Sequence, residues 1–283
     1  MAYAAEISRV NPSCFLFLID QSSSMESLSP GTNKPKAVGV ADAINRLIQN
    51  LILKCTKAEE VRNYFEVGVI GYNQPTKETI KVGPAFTAGL AGQEVVPISD
   101  VANNPARIDE RHKMTEDGAG GLVEQTFKFQ VWLDPVANGG TPMGEALSVA
   151  HRILEEWISR HTTSYPPIVI NITDGESTDR DPSVDSDKIK ELSTTDGNVL
   201  LFNCHISSTP GNPISFPNSA EGLPDQNAAL LYEMSSELPQ KLLAAAQSEG
   251  FAIGTGARGF VFNAELVDLI RFLDLGTRAS NLR

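Results

Sequence analysis

Residues 14–24 read Cys-Phe-Leu-Phe-Leu-Ile-Asp-Gln-Ser-Ser-Ser, an apolar run that ends at one carboxylate and continues into a serine-rich loop. The run is too short to span a membrane, and its residue types are typical of a strand buried on both faces of a parallel sheet. Asp20 then stands at the carboxyl end of that strand, and Ser22 and Ser24 lie in the loop beyond it. Because ligands of open parallel sheets bind at this edge, the stretch predicts a site as well as a strand.

Two later positions supply similar oxygen donors. Thr141 follows an Asn-Gly-Gly turn and precedes Pro142, a residue suited to the first turn of a helix, so Thr141 is expected at a helix N-terminus. Asp174 directly follows the β-branched run 168–173, which repeats the pattern of an apolar run followed by a carboxylate seen at residues 14–20. Carboxylates and hydroxyls are hard donors that suit Mg²⁺ or Mn²⁺ better than Zn²⁺. The candidate metal ligands are therefore Asp20, Ser22, Ser24, Thr141 and Asp174.

Strand-like and helix-like patterns alternate along all 283 residues, which predicts one α/β domain over residues 1–283. We expect a doubly wound, mainly parallel sheet in the order 3-2-1-4-5-6, with helices on both faces and an antiparallel edge strand at 79–82. In that order the strands that end at Asp20 and Asp174 are neighbours at the switch point. Residues 87–125 and 208–225 lack long periodic patterns and are interpreted as insertions. A short edge strand at 259–262 and a last helix after Asn263 complete the prediction.

Composition excludes some partners. A net charge of −12 and a pI near 4.8 disfavour binding to nucleic acid or to anionic membranes, both of which need clustered basic residues. No window approaches the ~18 apolar residues of a membrane span, and the N-terminal residues lack the apolar core of a signal peptide. The three cysteines show no metal-ligand spacing, and Cys14 and Cys204 are expected as buried free thiols. These features predict a cytoplasmic protein.

The motifs together resemble a von Willebrand factor A-type (vWA) domain. The resemblance rests on the Asp-x-Ser-x-Ser pattern at 20–24, on Thr141 within Gly-Gly-Thr-Pro, and on the Asp174-Gly175 pair. It implies a metal-ion-dependent adhesion site (MIDAS), in which Ser22 and Ser24 ligate Mg²⁺ directly and Thr141 does so in the ligand-bound form. Asp20 and Asp174 would then act largely through bound waters, and an Asp or Glu of a partner protein would complete the metal's ligands.

The family resemblance also implies a biological setting. The acidic, single-domain chain is similar to bacterial stand-alone members of the family, including those associated with tellurium resistance and stress response. The similarity of this chain to those proteins implies a protein partner that presents an acidic side chain, such as a kinase, a phosphatase or a MoxR-type ATPase. No nucleic-acid or membrane partner is expected.

Two other functions stay open: a metal-dependent phosphotransfer enzyme, and a structural scaffold with a non-functional metal site. Phosphatases of the haloacid-dehalogenase type need a second Asp two residues after the first, where this chain has Ser22. A serine hydrolase needs a Ser–His pair, and none of the four histidines adjoins a motif turn. We therefore expect a binding module without catalytic residues. The aspartates of residues 179–187 are interpreted as helix caps in a solvated loop rather than as a calcium site.

Overall fold

A mixed sheet with helices on both faces forms the centre of the molecule in a computed structural model, which describes residues 3–29, 33–116, 121–207, 212–248 and 250–263. The strands are β1 (Ser13–Asp20), β2 (Thr56–Lys57), β3 (Glu60–Val61), β4 (Phe65–Thr76), β5 (Thr79–Pro84), β6 (Val96–Pro97), β7 (Arg107–Glu116), β8 (Leu122–Val131), β9 (Ile168–Thr173), β10 (Leu200–His205), β11 (Ile214–Ser215) and β12 (Phe260–Phe262). The helices are α1 (Lys36–Cys55), α2 (Ile98–Asn103), α3 (Met143–Arg160), α4 (Ser183–Glu191), α5 (Gln226–Met234) and α6 (Gln240–Ser248).

The sheet order is β5-β4-β1-β9-β10-β12-β11, and the short strand β6 pairs with β4 off this path. Strands β4, β1, β9, β10 and β12 are parallel, and β5 is antiparallel to β4. Counted along the chain, the six strands from β5 to β12 have the order 3-2-1-4-5-6, so the predicted doubly wound sheet and its antiparallel edge strand are confirmed. The prediction of β12 as an edge strand was wrong, because β11, from the predicted insertion at 208–225, pairs with it.

Strand β1 divides the core into two apolar layers because its side chains alternate between the faces of the sheet. Phe15 and Phe17 join the cluster that includes residues of α1, α2 and α6. Leu16 and Leu18 join the cluster that includes residues of α3, α4 and α5. Every residue of β1 is buried, as the uninterrupted apolar run predicts. Asp20 is the next residue on the second face and is the one charged group of the strand.

A chain of buried polar groups crosses the second face of the sheet. The Tyr72 hydroxyl donates to Asn171 Oδ1 at 2.9 Å, and Asn171 Nδ2 donates to Asn203 Oδ1 at 3.0 Å. Asn203 Nδ2 donates in turn to Ser235 Oγ at 3.0 Å. We call these four residues the polar ladder. It connects β4, β9, β10 and the end of α5 through groups that would be costly to bury without partners.

Residues 87–125 are more regular than the sequence predicts. They contain α2, all of β7 and the first part of β8, and β7 and β8 form a two-stranded antiparallel ribbon apart from the main sheet. The Arg111 guanidinium lies 3.6 Å from the centre of the Phe129 ring within the ribbon, and 2.9 Å from Asp42 of α1, which fastens the ribbon to that helix. Strand β7 is not evident in the sequence because charged residues occupy both of its faces.

Three further expectations concern the rest of the chain. Cys14, Cys55 and Cys204 are buried free thiols, which agrees with the prediction for the first and last of them. Within the described ranges, no helix is long and apolar enough to cross a membrane. The last helix, predicted after Asn263, lies outside the described residues.

Candidate metal centre

Asp20 forms the buried floor of the candidate site. It ends β1 with no exposed surface, Oδ1 accepts a hydrogen bond from the Ser22 N–H at 2.8 Å, and Oδ2 accepts one from the Thr173 hydroxyl at 2.7 Å. Burial raises the pKa of Asp20 to about 6, despite the hydrogen bonds from Ser22, and the nearby charge of Asp174 adds to the increase. Both carboxylate oxygens are thus committed to this chain's own donors.

A chain of hydroxyls links Asp20's loop to the neighbouring strand. A short 3-10 turn at Ser23–Glu26 follows β1, with Ser22 just before it and Ser24 within it. Ser22 Oγ lies 2.9 Å from Ser24 Oγ, and Ser24 Oγ donates to Asp174 Oδ1 at 2.9 Å. The structure therefore brings Ser22, Ser24 and Asp174 together at the carboxyl ends of β1 and β9.

The loop that carries Thr141 is fastened to the same edge. Ser23 N donates to Gly139 O at 2.8 Å, and Gly139 N donates to Ser23 Oγ at 2.7 Å. The backbones of Gln74 and Gly140 exchange hydrogen bonds of 3.0 and 2.9 Å. Gly139 has φ +76°, and a Cβ there would collide with the Gln74 backbone, so this turn requires glycine. These contacts fasten the turn that leads to Thr141 against Ser23 and Gln74, and Thr141 itself is 5% exposed.

Two residues of the β9–α4 loop hold Thr141 and the start of α3 from the other side. Thr141 N donates to Thr178 Oγ1 at 2.8 Å. Asp179 accepts hydrogen bonds from Gly144 N at 3.1 Å and from Glu145 N at 2.8 Å. Pro142, at the N-cap position of α3, provides no side-chain cap, so Asp179 takes that role from a distant part of the sequence. The helix-cap interpretation is thus correct for Asp179 at α3, and for Asp181, which accepts a hydrogen bond from Ser183 N at the start of α4. It is wrong for Asp185 and Asp187, which lie within α4 rather than in a loop.

The sequence patterns do not predict that Lys36 belongs to this site. We call Lys36, Asp20, Ser22, Ser24 and Asp174 the metal-site cluster. Its Nζ lies 3.0 Å from Asp174 Oδ2, and the side chains of Lys36 and Asp174 are 2% and 9% exposed. Lys36 is the first residue of α1, where the helix dipole disfavours a positive charge. That unfavourable position is a sequence signal for a nearby anion, but only the fold shows that the anion is Asp174.

The donors fit a hard divalent cation. Three candidate ligands are hydroxyls and two are carboxylates, which are the oxygen types that Mg²⁺ and Mn²⁺ accept. Among the described residues, no group of three or more His, Cys, Asp or Glu side chains is placed to hold a metal ion. The candidate set thus offers hydroxyl oxygens as well as the two carboxylates.

Comparison with known proteins gives structural similarities only. No protein-family model and no curated protein matches the chain. Among solved structures, the pilus adhesin SpaC from Lactobacillus rhamnosus GG is 13% identical over 98% of this chain and 31% of its own, with a TM-score of 0.49. The manganese-loaded TRAP protein of Plasmodium vivax is 13% identical over 96% of this chain and 75% of its own, with a TM-score of 0.45.

A third similar structure is named for the domain type. The vWF domain of the type V pili tip protein Mfa5 from Porphyromonas gingivalis is 17% identical over 59% of this chain and 39% of its own, with a TM-score of 0.31. The chain thus spans about a third of SpaC and three quarters of TRAP. Since these TM-scores lie below 0.5, the fold assignment rests on the sheet order described above.

Proposed function

We propose that this chain is a metal-dependent protein-interaction module of the vWA type, which captures an Asp or Glu side chain of a partner protein. The observation that carries the proposal is the hydroxyl chain from Ser22 through Ser24 to Asp174, placed over the buried Asp20 at the switch point of the sheet. In this proposal Ser22, Ser24 and Thr141 hold Mg²⁺ or Mn²⁺ through hydroxyl oxygens. Asp20 and Asp174 act largely through water.

Each residue has a separate task in this proposal. Asp20 holds the Ser22 backbone and keeps a negative charge beneath the site. Ser24 connects the β1 loop to Asp174, and Thr178 and Asp179 position the Thr141 loop. A bound divalent ion would supply a coordination position for an incoming carboxylate, and neutral hydroxyl ligands would leave it much of its positive charge. Binding would then depend on the arrival of the partner's acidic side chain.

Two observations favour binding over phosphotransfer. Asp20 is fully buried and both of its oxygens already accept hydrogen bonds, so neither is placed to attack a phosphoryl group. Asp174 is similarly engaged, by Ser24 and Lys36. A metal-dependent phosphatase activity that disappears in Asp20→Asn would nevertheless reverse this preference. The scaffold alternative predicts that metal has no effect on partner binding.

The partner class follows from charge and from the family resemblance. A chain with a net charge of −12 repels an acidic surface in the absence of a bridging cation, so a metal-mediated contact suits an acidic partner. We place the module in a bacterial cytoplasmic signalling or stress-response assembly, with a kinase, a phosphatase or a MoxR-type ATPase as the proposed partner.

Metal binding is tested first, by titration of the metal-free protein with Mn²⁺ followed by electron paramagnetic resonance. We expect one strong site in the wild type and a loss of at least about tenfold in affinity in Ser24→Ala, because one direct ligand is removed. Ser159→Ala is the matched control, since Ser159 is an exposed residue near the end of α3. Equal affinity in both variants would refute the proposed ligand set.

Partner capture is tested second, with the wild-type protein immobilised in Mg²⁺ and then in EDTA. A partner that is released by EDTA, and that Asp20→Ala fails to retain, supports the metal bridge. Equal capture in both buffers would contradict it. Thr141→Ala is expected to weaken partner binding more than Mn²⁺ binding, since Thr141 is proposed as a direct ligand only in the bound form.

A further inference from the structure

Ser24 and Lys36 together engage both carboxylate oxygens of Asp174. Asp174 Oδ1 accepts a hydrogen bond from Ser24, and Oδ2 accepts one from Lys36 Nζ at 3.0 Å. Lys36 is 2% exposed, so its ammonium group has been removed almost completely from water. A buried ammonium group is costly unless a carboxylate compensates it, and Asp174 provides that compensation.

The backbone fixes Lys36 in this position. Lys36 N donates to Ser27 O at 2.9 Å, which closes the loop that leads from the serine-rich stretch to α1. Lys36 is also the first residue of that helix, so its Cα is set by both the loop and the helix. Because the side chain is also buried and its Nζ lies 3.0 Å from Asp174, the ammonium group is part of the site rather than a mobile surface charge.

The charges of the cluster determine what a bound divalent ion can attract. The metal-site cluster combines two acidic side chains, Asp20 and Asp174, with one basic side chain, Lys36, so its formal charge is −1. A divalent cation added to these groups leaves one net positive charge. A single incoming carboxylate neutralises that charge. Without Lys36, the metal-loaded cluster would already be neutral, and an incoming carboxylate would gain much less from electrostatic attraction.

We infer that Lys36 makes carboxylate capture by this site strong at the expense of metal affinity. This inference rests on the proposed function and identifies Lys36 as a positioning residue rather than a metal ligand. The ammonium group competes with the metal's waters for Asp174 and repels the ion itself. It also preserves the positive charge that a partner's carboxylate then neutralises, so metal and carboxylate bind cooperatively.

The test uses Mn²⁺ and acetate as probes on the full chain at pH 8. Mn²⁺ affinity is measured for the wild type, Lys36→Met and Lys36→Gln, in chloride buffer and in acetate buffer of equal ionic strength. We expect both variants to bind Mn²⁺ about tenfold more tightly in chloride, which corresponds to about 1.4 kcal/mol. Acetate should tighten Mn²⁺ binding to the wild type and have a much smaller effect on the variants.

Lys34→Met is the matched control, because Lys34 lies two residues away and its side chain is 66% exposed. It removes the same charge from the surface and should leave both measurements close to the wild type. Thermal unfolding in EDTA confirms that each variant is folded, and Gln retains polarity if Met at this position prevents folding.

The outcomes separate the two proposals. Mn²⁺ binding by the wild type with equal or weaker binding by both Lys36 variants would overturn the inference alone. So would a Lys34→Met variant that behaves like Lys36→Met, because the effect would then be one of general charge. No Mn²⁺ binding by any of the proteins would overturn the proposed function, and with it the role given to Lys36.

Discussion

Replacing Asp179 with Ala tests whether a residue outside the metal cluster holds the Thr141 loop in place. The Asp179 side chain is 7% exposed and accepts hydrogen bonds from Gly144 N, Glu145 N and Ser177 Oγ. Loss of a helix cap costs about 1 kcal/mol, and hydrogen bonds to a charged group contribute about 1.5–3 kcal/mol. Because these donors share one carboxylate, we expect the free energy of unfolding to fall by about 2–3 kcal/mol.

The assay is urea unfolding of the metal-free protein in EDTA, followed by circular dichroism. Asp187→Ala is the control, because it removes the same charge from a nearby side chain that is 68% exposed and pairs with Lys190. It should change stability by less than about 0.5 kcal/mol. If Asp179→Ala lost no more stability than Asp187→Ala, the capping role of Asp179 would be refuted, together with its support of Thr141.

The pH dependence of the stability difference between the wild type and Asp179→Ala gives a second check. Burial acts to raise the pKa of Asp179, but hydrogen bonds from Ser177 and from the backbone outweigh it and lower the pKa below the ordinary value of 3.8. A carboxyl group whose pKa is lower in the folded state stabilises the protein above its unfolded-state pKa. That stabilisation is lost as the pH falls through the folded-state pKa. The difference between wild type and Asp179→Ala should thus be constant above about pH 5 and shrink in stronger acid.

Two further substitutions probe the frame around the site. Gly139→Ala should lower the free energy of unfolding in urea by more than about 2 kcal/mol, since φ is +76° and the new Cβ meets the Gln74 backbone. Gly83→Ala is the control, because its Cβ would meet open space, and it should change the free energy of unfolding by less than about 1 kcal/mol. Similar losses in both variants would show that the turn does not require glycine at position 139. Asn171→Leu should cost about 3 kcal/mol, because the buried Tyr72 hydroxyl loses its acceptor. A loss below about 1 kcal/mol there would indicate that water replaces the amide.

The sheet could be predicted from the sequence because its central strands are uninterrupted apolar runs that end in polar residues. The runs ending at Asp20 and Asp174 fix the two neighbouring strands at the switch point, and the short strand β5 is marked by its alternation. The ribbon strand β7 could not be predicted, because its pattern of charges on both faces lacks the half-buried alternation that identifies a strand. Its position depends instead on contacts with α1.

The candidate site was predictable to a different degree for each residue. Ser22, Ser24 and Asp174 lie just beyond the carboxyl ends of the neighbouring strands β1 and β9, so their approach follows from the sheet order. Lys36 could not be assigned, since its contact with Asp174 joins residues separated by 138 positions. Asp179 was correctly interpreted as a cap, yet the identity of the capped helix depends on the tertiary packing of α3 against the β9–α4 loop.

The polar ladder has a consequence for how the strands find their alignment. Asn171 lies opposite Leu18 on β1 and opposite Asn203 on β10. A slip of two residues between these strands would keep apolar side chains on the same faces, so hydrophobic burial alone would penalise it weakly. It would, however, separate the two amides and leave buried polar groups unpaired, at about 1–3 kcal/mol each. The ladder therefore discriminates against a misaligned pairing of β9 with β10 and, through the Tyr72 hydroxyl, of β4 with β9.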